Sequence, residues 1–309
     1  MRIELRQLTR LEELREMQAL EQRVWGTEPI PLHQTWTAVK NGGVAVGAFR
    51  EDEMIGFVYG FPGFRQGEAY LCSHMMGILA EHRNQGIGER LKHFQADVAR
   101  RMGYRRMIWT YDPLESRNAR LNLVKLGAVP LVYIENCYGE LDDDLNRGMP
   151  SDRFEVTWFL EGRGPAGSPE LRQVCAHAAP SSSARLLYVR IREDGLPEPQ
   201  PLSDDTLQQR LGRADGGTGP TQPDRVNDAE ALVRMVPVPV AIQTLRRAEP
   251  SLALSWRLET RRVFSRALEA GWVAVHLRRG DGDAVCDYIL VPRDMLKVPS
   301  FKTGTLGLI

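Results

Sequence analysis

A chain of 309 residues with 42% hydrophobic content is long enough for two domains and apolar enough to bury a core in each, which excludes a disordered polypeptide. Forty acidic residues balance forty basic ones, so no global field draws the protein to nucleic acid or to an anionic membrane. Cys72, Cys137, Cys175 and Cys286 are widely spaced, with neither a Cys-x-x-Cys pair nor a histidine cluster, so the pattern offers no disulfide framework and no zinc site. Only five of the basic residues are lysine, which reads as codon bias. Met1 leads straight into Arg2-Ile3-Glu4-Leu5, and no run of 18 apolar residues follows anywhere, so the expected protein is soluble and cytoplasmic.

In chain order, Arg2 to Gln7 reads as a strand, and Leu11, Leu14, Met17, Leu20 and Val24 mark one face of a helix ending near Trp25-Gly26. Residues 43–50 and 54–62, joined by the polar turn Glu51-Asp52-Glu53, predict a β-hairpin. Residues 71–79 are almost wholly apolar or small, as expected of a strand covered on both faces. From Ile87 the period changes: Ile87, Leu91, Phe94, Val98 and Met102 keep helical spacing up to Gly103. Arg106 to Tyr111 predicts another strand, closed by Asp112-Pro113. A short helix over 116–126 stops at Gly127, and strands over 129–135 and 152–160 complete this half.

Between the long strand and its helix lies Arg83-Asn84-Gln85-Gly86-Ile87-Gly88. Gly86 and Gly88 allow backbone approach that a side chain would block, and the first helical N–H groups have no internal partners, so the turn suits a pyrophosphate. A P-loop would need Gly-Lys-Ser/Thr where Glu89-Arg90 stand, and a dinucleotide fold would place its glycines early in a βαβ unit, so neither fits.

The Arg-x-x-Gly-x-Gly turn after an apolar strand resembles the acyl-CoA signature of the GNAT superfamily of N-acyltransferases, and the order of elements over roughly the first 160 residues agrees with that fold. The resemblance is closest to a subgroup with a C-terminal extension, carried by Val24-Trp25-Gly26, Ser73-His74-Met75, Thr110-Tyr111-Asp112-Pro113-Leu114, Arg117-Asn118-Ala119 and Asp152-Arg153-Phe154. Pro237-Val238-Pro239 and Leu252-Ala253-Leu254-Ser255-Trp256-Arg257 extend it into the second half. It implies an α/β (α+β) fold: a mixed, mostly antiparallel twisted sheet flanked by helices, followed by a smaller α/β domain. Members of the subgroup include amino-acid N-acyltransferases, among them N-succinyltransferases that work alongside an N-acylamino-acid racemase.

The expected domains are 1–161, a linker over 162–183, and 184–309 with a long surface loop at about 196–225. The last contains a strand over 184–193, helices over 240–247 and 252–270, and strands over 272–278 and 284–291. In the longer helix Leu252, Trp256, Val263, Ala267 and Leu268 form an apolar stripe that reads as core, beside a charged face open to the first domain or to a second subunit in a homodimer.

Acyl transfer from a CoA thioester to an amine needs pyrophosphate anchorage, polarisation of the thioester carbonyl, a base for the ammonium and a proton for the leaving thiolate. The resemblance implies acetyl-CoA or succinyl-CoA as cosubstrate, no metal, and a small amine or amino acid as acceptor. The amides of Asn84, Gln85, Gly86, Ile87, Gly88 and Glu89 form the implied cradle, with Arg83 at its entrance. The backbone of Ile78 and Leu79 would pair with the pantetheine arm, the Ile78 amide facing the thioester oxygen. His74 is the candidate base, because histidine titrates in the required range, although it could equally donate to a carbonyl inside the sheet. Glu68 and Glu81 are lesser candidates. Leu123 stands where the resemblance would place the family's general-acid Tyr; Tyr111 is the candidate acid in its stead, with packing as its alternative, or water could serve, since a thiol is already an adequate leaving group. Asn118 loosely matches an Asn that contacts CoA in relatives. Phe61-Pro62-Gly63-Phe64 and Trp25-Gly26 could wall an acceptor pocket. A non-catalytic acyl-CoA sensor is the competing function, and acetylation of a protein or nucleic acid a weaker third.

Overall fold

The computed structural model describes residues 2–139, 148–161, 168, 171, 173–175, 182–212, 232–279 and 284–296. Strands β1 (Ile3–Gln7), β2 (Val44–Arg50), β3 (Glu53–Arg65), β4 (Glu68–Ile78), β5 (Arg106–Tyr111), β6 (Val129–Ile134) and β7 (Arg153–Phe159) form one sheet in the order β1-β2-β3-β4-β5-β7-β6. The first four pair antiparallel, and β4 pairs with β5 in parallel. With three antiparallel pairings and a parallel join between β4 and β5, this is the mixed, mostly antiparallel sheet expected. By internal contacts the chain divides into Met1–Trp109 with Thr157–Gly162, and Thr110–Val156 with Arg163–Ile309.

In the first unit, α1 (Leu11–Trp25) begins where the Glu13 carboxylate accepts from the Thr9 and Arg10 amides and ends on Gly26 at φ +68°. With α2 (Leu32–Lys40) it covers a core of Leu14, Met17, Leu20, Ala45, Phe49, Phe57, Tyr59 and Leu79. The other face of the sheet takes α3 (Ile87–Arg101), whose buried side chains are Ile87, Leu91, Lys92, Gln95, Ala96, Val98 and Ala99. That stripe differs from the expected one. Phe94 is only half-buried and Met102 is exposed, while two polar residues, Lys92 and Gln95, lie beneath the sheet.

In the second unit, α4 (Ser116–Ala119) runs into a π-helical stretch, Arg120–Lys125. The extension builds a two-stranded sheet, β8 (Tyr188–Ile191) with β9 (Pro197–Gln200), and a three-stranded one, β10 (Arg234–Pro239), β12 (Val285–Pro292) and β11 (Trp272–Arg279) in that order. Helices α5 (Asp204–Leu211), α6 (Ile242–Ala248) and α7 (Pro250–Glu269) accompany them. The stretch read as a long loop therefore holds β9 and α5. Ser203 caps α5 by accepting from the Thr206 amide, and Asp204 and Asp205 fill its acidic first turn. The rest of that loop from residue 213, and most of the linker, lie outside the described residues. Trp256, expected as core, is fully buried and donates Nε1–H to the Pro197 carbonyl at 2.8 Å. Arg257 beside it is 1% exposed and ion-paired with Asp112.

Candidate active site

The parallel pairing of β4 with β5 spans only Leu71 with Met107 and Cys72 with Ile108. Beyond them the strands part, while β4 keeps its partner β3 as far as Ile78. Along this stretch the β4 amides alternate in direction. The Leu79 N–H donates to Ile55 O of β3 at 3.0 Å, so the Ile78 N–H points to the opposite edge, the one β5 has left. Leu79 itself is engaged on both sides, since its carbonyl accepts from the His82 amide at 2.9 Å. Of the two residues expected along a pantetheine arm, Ile78 therefore has the amide on the open edge.

A single 3-10 turn, Ala80–His82, carries the chain from β4 to the glycines. Arg83 folds back so that its Nε donates to Ile78 O at 3.1 Å. Arg83, Asn84, Gln85 and Gly86 are exposed, with Asn84 at φ +63° and Gly86 at φ +74°, both left-handed. A Cβ on Gly86 would meet nothing within 4 Å, so its backbone angle is what requires glycine there. Gly88 answers to a different constraint: a Cβ there would lie 3.3 Å from Met76 Cε, so α3 starts hard against β4. The Ile87 and Gly88 amides open α3 with no intrahelical partner.

His74 owes its position to a β-bulge. Tyr59 pairs with Met75 and Phe61 with Cys72, so Gly60 alone faces both Ser73 and His74. The extra residue resets the alternation of β4. Ser73 turns toward α3, while His74 lies with Tyr59 and Phe61, its ring 6.5 and 5.4 Å from theirs between centroids. Gly60 is obligatory opposite the bulge, because a Cβ there would stand 2.6 Å from the Cys72 carbonyl oxygen. One edge of the His74 ring is open to solvent, and the enclosure on the other side lowers its pKa by desolvation. Among the described residues the imidazole has no hydrogen-bond partner, so the alternative of a carbonyl-bound structural histidine is not the arrangement seen.

Residues 10–127 match the model of the Acetyltransferase (GNAT) family. This segment has the GNAT acetyltransferase fold. No curated protein matches the chain. Among solved structures, the acetyltransferase of GNAT family from Streptococcus pneumoniae is 16% identical with a TM-score of 0.42, covering 51% of this chain and 99% of that one. The ribosomal-protein-S18-alanine N-acetyltransferase from Escherichia coli is 15% identical at TM-score 0.42, with shares of 53% and 97%. An N-acetyltransferase from Staphylococcus aureus is 16% identical at TM-score 0.43, with shares of 52% and 100%. Among the described residues no helix is long and apolar enough to cross a membrane, and no cluster of His, Cys, Asp and Glu could hold a metal ion.

Of the other residues singled out in the GNAT domain, Tyr111 is buried, with its ring against Phe154 and its hydroxyl 3.4 Å from that of Tyr288. Desolvation pushes its pKa well up, and Tyr288 in turn donates to Pro113 O at 2.7 Å. This is the surrounding of a packing aromatic, the alternative weighed for it. Asn118 is exposed on α4, and Leu123 is buried in the π-helical stretch. Glu68 is engaged by Arg106 at 3.5 Å, and Glu81 is exposed after β4. Phe61 packs against His74, whereas Phe64 is 73% exposed at the far end of β3.

Three further groups lie close by. Glu21 of α1 is 5% exposed, its Oε1 accepts from the Ile30 amide at 3.0 Å, and burial raises its pKa. Tyr59, beside His74, has its phenol pushed up to about 12 by burial, then by the charges of Cys72 and Glu21. On the α3 face Lys92, 4% exposed, donates from Nζ to Ser73 Oγ at 2.7 Å, and Ser73 donates to Gln95 Oε1 at 2.6 Å. Spacing alone could have flagged two of these. Glu21 falls seven residues after Leu14, and Lys92 four before Ala96, both on buried helix faces.

Proposed function

We propose that the protein is an acyl-CoA-dependent N-acyltransferase that moves an acetyl or succinyl group to the amino group of a small metabolite, an amino acid being the preferred class. The observation that carries this reading is the parting of β4 and β5 beyond Cys72 and Ile108, with the Ile78 amide on the opened edge and the glycine turn at its rim. The pantetheine arm lies along that edge. The thioester oxygen accepts from the Ile78 amide, and the pyrophosphate rests on the amides from Asn84 to Glu89, with Arg83 beside them. A fixed backbone donor at the developing oxyanion is worth about 2.7–4 kcal/mol in sites of this kind. His74, neutral at pH 7 because desolvation holds its pKa down, takes the proton of the acceptor ammonium, directly or through one water. Asn118 serves the CoA side, and Tyr111 has a packing role.

The test is release of free CoA, read with a thiol reagent, from acetyl-CoA and succinyl-CoA against D- and L-amino acids and simple amines. Turnover confined to one donor and one acceptor class establishes the transferase and names both. A second reading, an acyl-CoA sensor without catalysis, is favoured by the burial of the Tyr111 hydroxyl against Tyr288. CoA binding in calorimetry with silence across the whole panel would select it.

A further inference from the structure

Trp25 is the last residue of α1, which stops at Gly26, and it is half-buried. Its ring meets that of Phe57 on β3 edge-on, 5.8 Å between centroids with the planes at 86°. Phe57 pairs with Gly77 of β4, and the two rings fill the space that a side chain at Gly77 would need. A Cβ there would stand 2.8 Å from Phe57 Cε1 and 3.2 Å from Trp25 Cη2. Ile78, whose amide opens on the edge β5 has left, is the next residue. Its nitrogen is one peptide step from that Cβ position, so the indole edge stands no more than about 7 Å from it. The chain after α1 is tied back to the helix at Ile30, whose carbonyl accepts from Gln18 Nε2 and whose amide donates to Glu21 Oε1, each at 3.0 Å. The helix end that carries Trp25 is therefore braced.

From this arrangement we propose that Trp25 is the residue that limits which acyl group is accepted at the Ile78 amide, an assignment that rests on the acyl-CoA reading above. A pantetheine arm entering from the glycine turn reaches Ile78 first, and its acyl group then lies past that residue, beside Gly77. The ring stands on the α1 face of β4, where His74 also lies with Tyr59 and Phe61. A hydrogen bond of about 2.9 Å from the Ile78 amide to the thioester oxygen, followed by van der Waals contact with the indole at about 3.5–4.0 Å, takes up the whole of that distance. The space holds a two-carbon acyl group, whereas a four-carbon chain has to displace the ring. A succinyl group meets a second obstacle. Its terminal carboxylate would lie against the apolar edges of Trp25 and Phe57, with the buried Glu21 carboxyl one turn back on the same face of α1. The bare backbone at Gly77 is what lets the ring come close enough to read chain length.

The experiment measures kcat/KM for acetyl-CoA, butyryl-CoA and succinyl-CoA in wild type, Trp25→Ala and Trp25→Phe, with an acceptor that wild type uses. Wild type should favour acetyl-CoA over either longer donor by at least about 10-fold, and Trp25→Ala should cut the acetyl-to-butyryl ratio by about 10-fold or more, Trp25→Phe by less. A folded W25A that keeps the wild-type ratio within twofold overturns the proposal, as does a wild type that takes butyryl-CoA or succinyl-CoA as readily as acetyl-CoA. A second measurement needs neither turnover nor the alanine variant. The chain has six tryptophans, so nitrogen-labelled protein gives six indole N–H signals in NMR, and that of Trp25 is the one missing from Trp25→Phe. It should move further with an unreactive ketone analogue of acetyl-CoA, methylene in place of sulfur, than with free CoA. Calorimetry should show the butyryl-length analogue binding at least about 10-fold more weakly than the acetyl-length one. Equal shifts and equal affinities would overturn the contact. Wild type that binds acyl-CoA but acylates nothing would instead sink the transferase reading, leaving the Trp25 contact to be decided by NMR and calorimetry alone.

Discussion

The ring of His74 lies 5.4 Å from that of Phe61, centroid to centroid, with the two planes inclined at 59°. Packing on one side and solvent on the other is what a base needs in order to stay neutral and still reach a proton. His74→Gln, close in shape but unable to titrate, should lower kcat by about 10²- to 10⁴-fold with CoA affinity unchanged by calorimetry. In wild type kcat/KM should rise with pH through a midpoint below 6.5, since desolvation lowers the His74 pKa and only the neutral ring accepts a proton. Full turnover in the variant, with the same acid limb, would remove His74 from the reaction.

Gly60 bears the bulge that presents His74. Gly60→Ala would place Cβ 2.6 Å from the Cys72 carbonyl oxygen and 3.1 Å from Gln95 Nε2. The first of these is backbone and cannot swing away, so β3 and β4 must separate or re-register. The expected outcome is a loss of about 1–3 kcal/mol in urea unfolding together with a large fall in kcat, because a shift by one residue turns His74 to the other face. An alanine variant of unchanged stability and rate would show that the bulge does not hold the histidine.

Arg257 anchors the end of β5 in the second unit by a buried pair with Asp112, whose other oxygen accepts from the Leu114 amide at 2.8 Å. Its Nε and Nη1 are buried without hydrogen-bond partners, so the pair is incompletely satisfied. Arg257→Met should cost about 1–3 kcal/mol, since it leaves the part-buried Asp112 carboxylate with only Arg153 at 3.8 Å and the Leu114 amide. Adding Asp112→Asn should recover part of that loss. Equal stability of the single and double variants in denaturant titrations would contradict the argument.

Those three residues differ in how far the sequence exposes them. The strands, the hairpin and the glycine turn follow from local signals: the change of period at Ile87, the stop at Asp112-Pro113, the polar turn at Glu51. Helix α2 is hidden by its β-branched Thr35, Thr37 and Val39, weak helix formers whose preference packing against β2 and β3 overrides. Strand β9 carries Pro197 and Pro199, which argue for a loop, yet pairing with β8 alone tolerates them. His74 could be named as a candidate from its strand, but the bulge that aims it depends on the register between β3 and β4, and no periodicity in either strand reveals that register. Glu21 and Lys92 are polar residues on buried helix faces. An apolar stripe passes over such positions, because only the tertiary fold supplies the Ile30 amide and the Ser73 hydroxyl that make their burial tolerable.

Lys92 also makes a prediction about stability that needs no substrate. Burial brings its pKa down from 10.5 to about 7. Between those values the unfolded chain holds a proton that the folded protein has released, so stability from this group rises with pH across that window. Below about pH 7 both states are protonated and the fold carries a buried ammonium at full cost. From pH 7 to 9.5 the gain amounts to about 3 kcal/mol. Lys92→Met removes the term, so its advantage over wild type in urea unfolding should be greatest near pH 6 and shrink steadily toward pH 9.5. Comparison of the two proteins isolates this residue, because every other titrating group is common to both. Parallel stability curves would mean that Lys92 keeps its charge in the fold. A shrinking difference would show a lysine kept in the interior against its own stability cost.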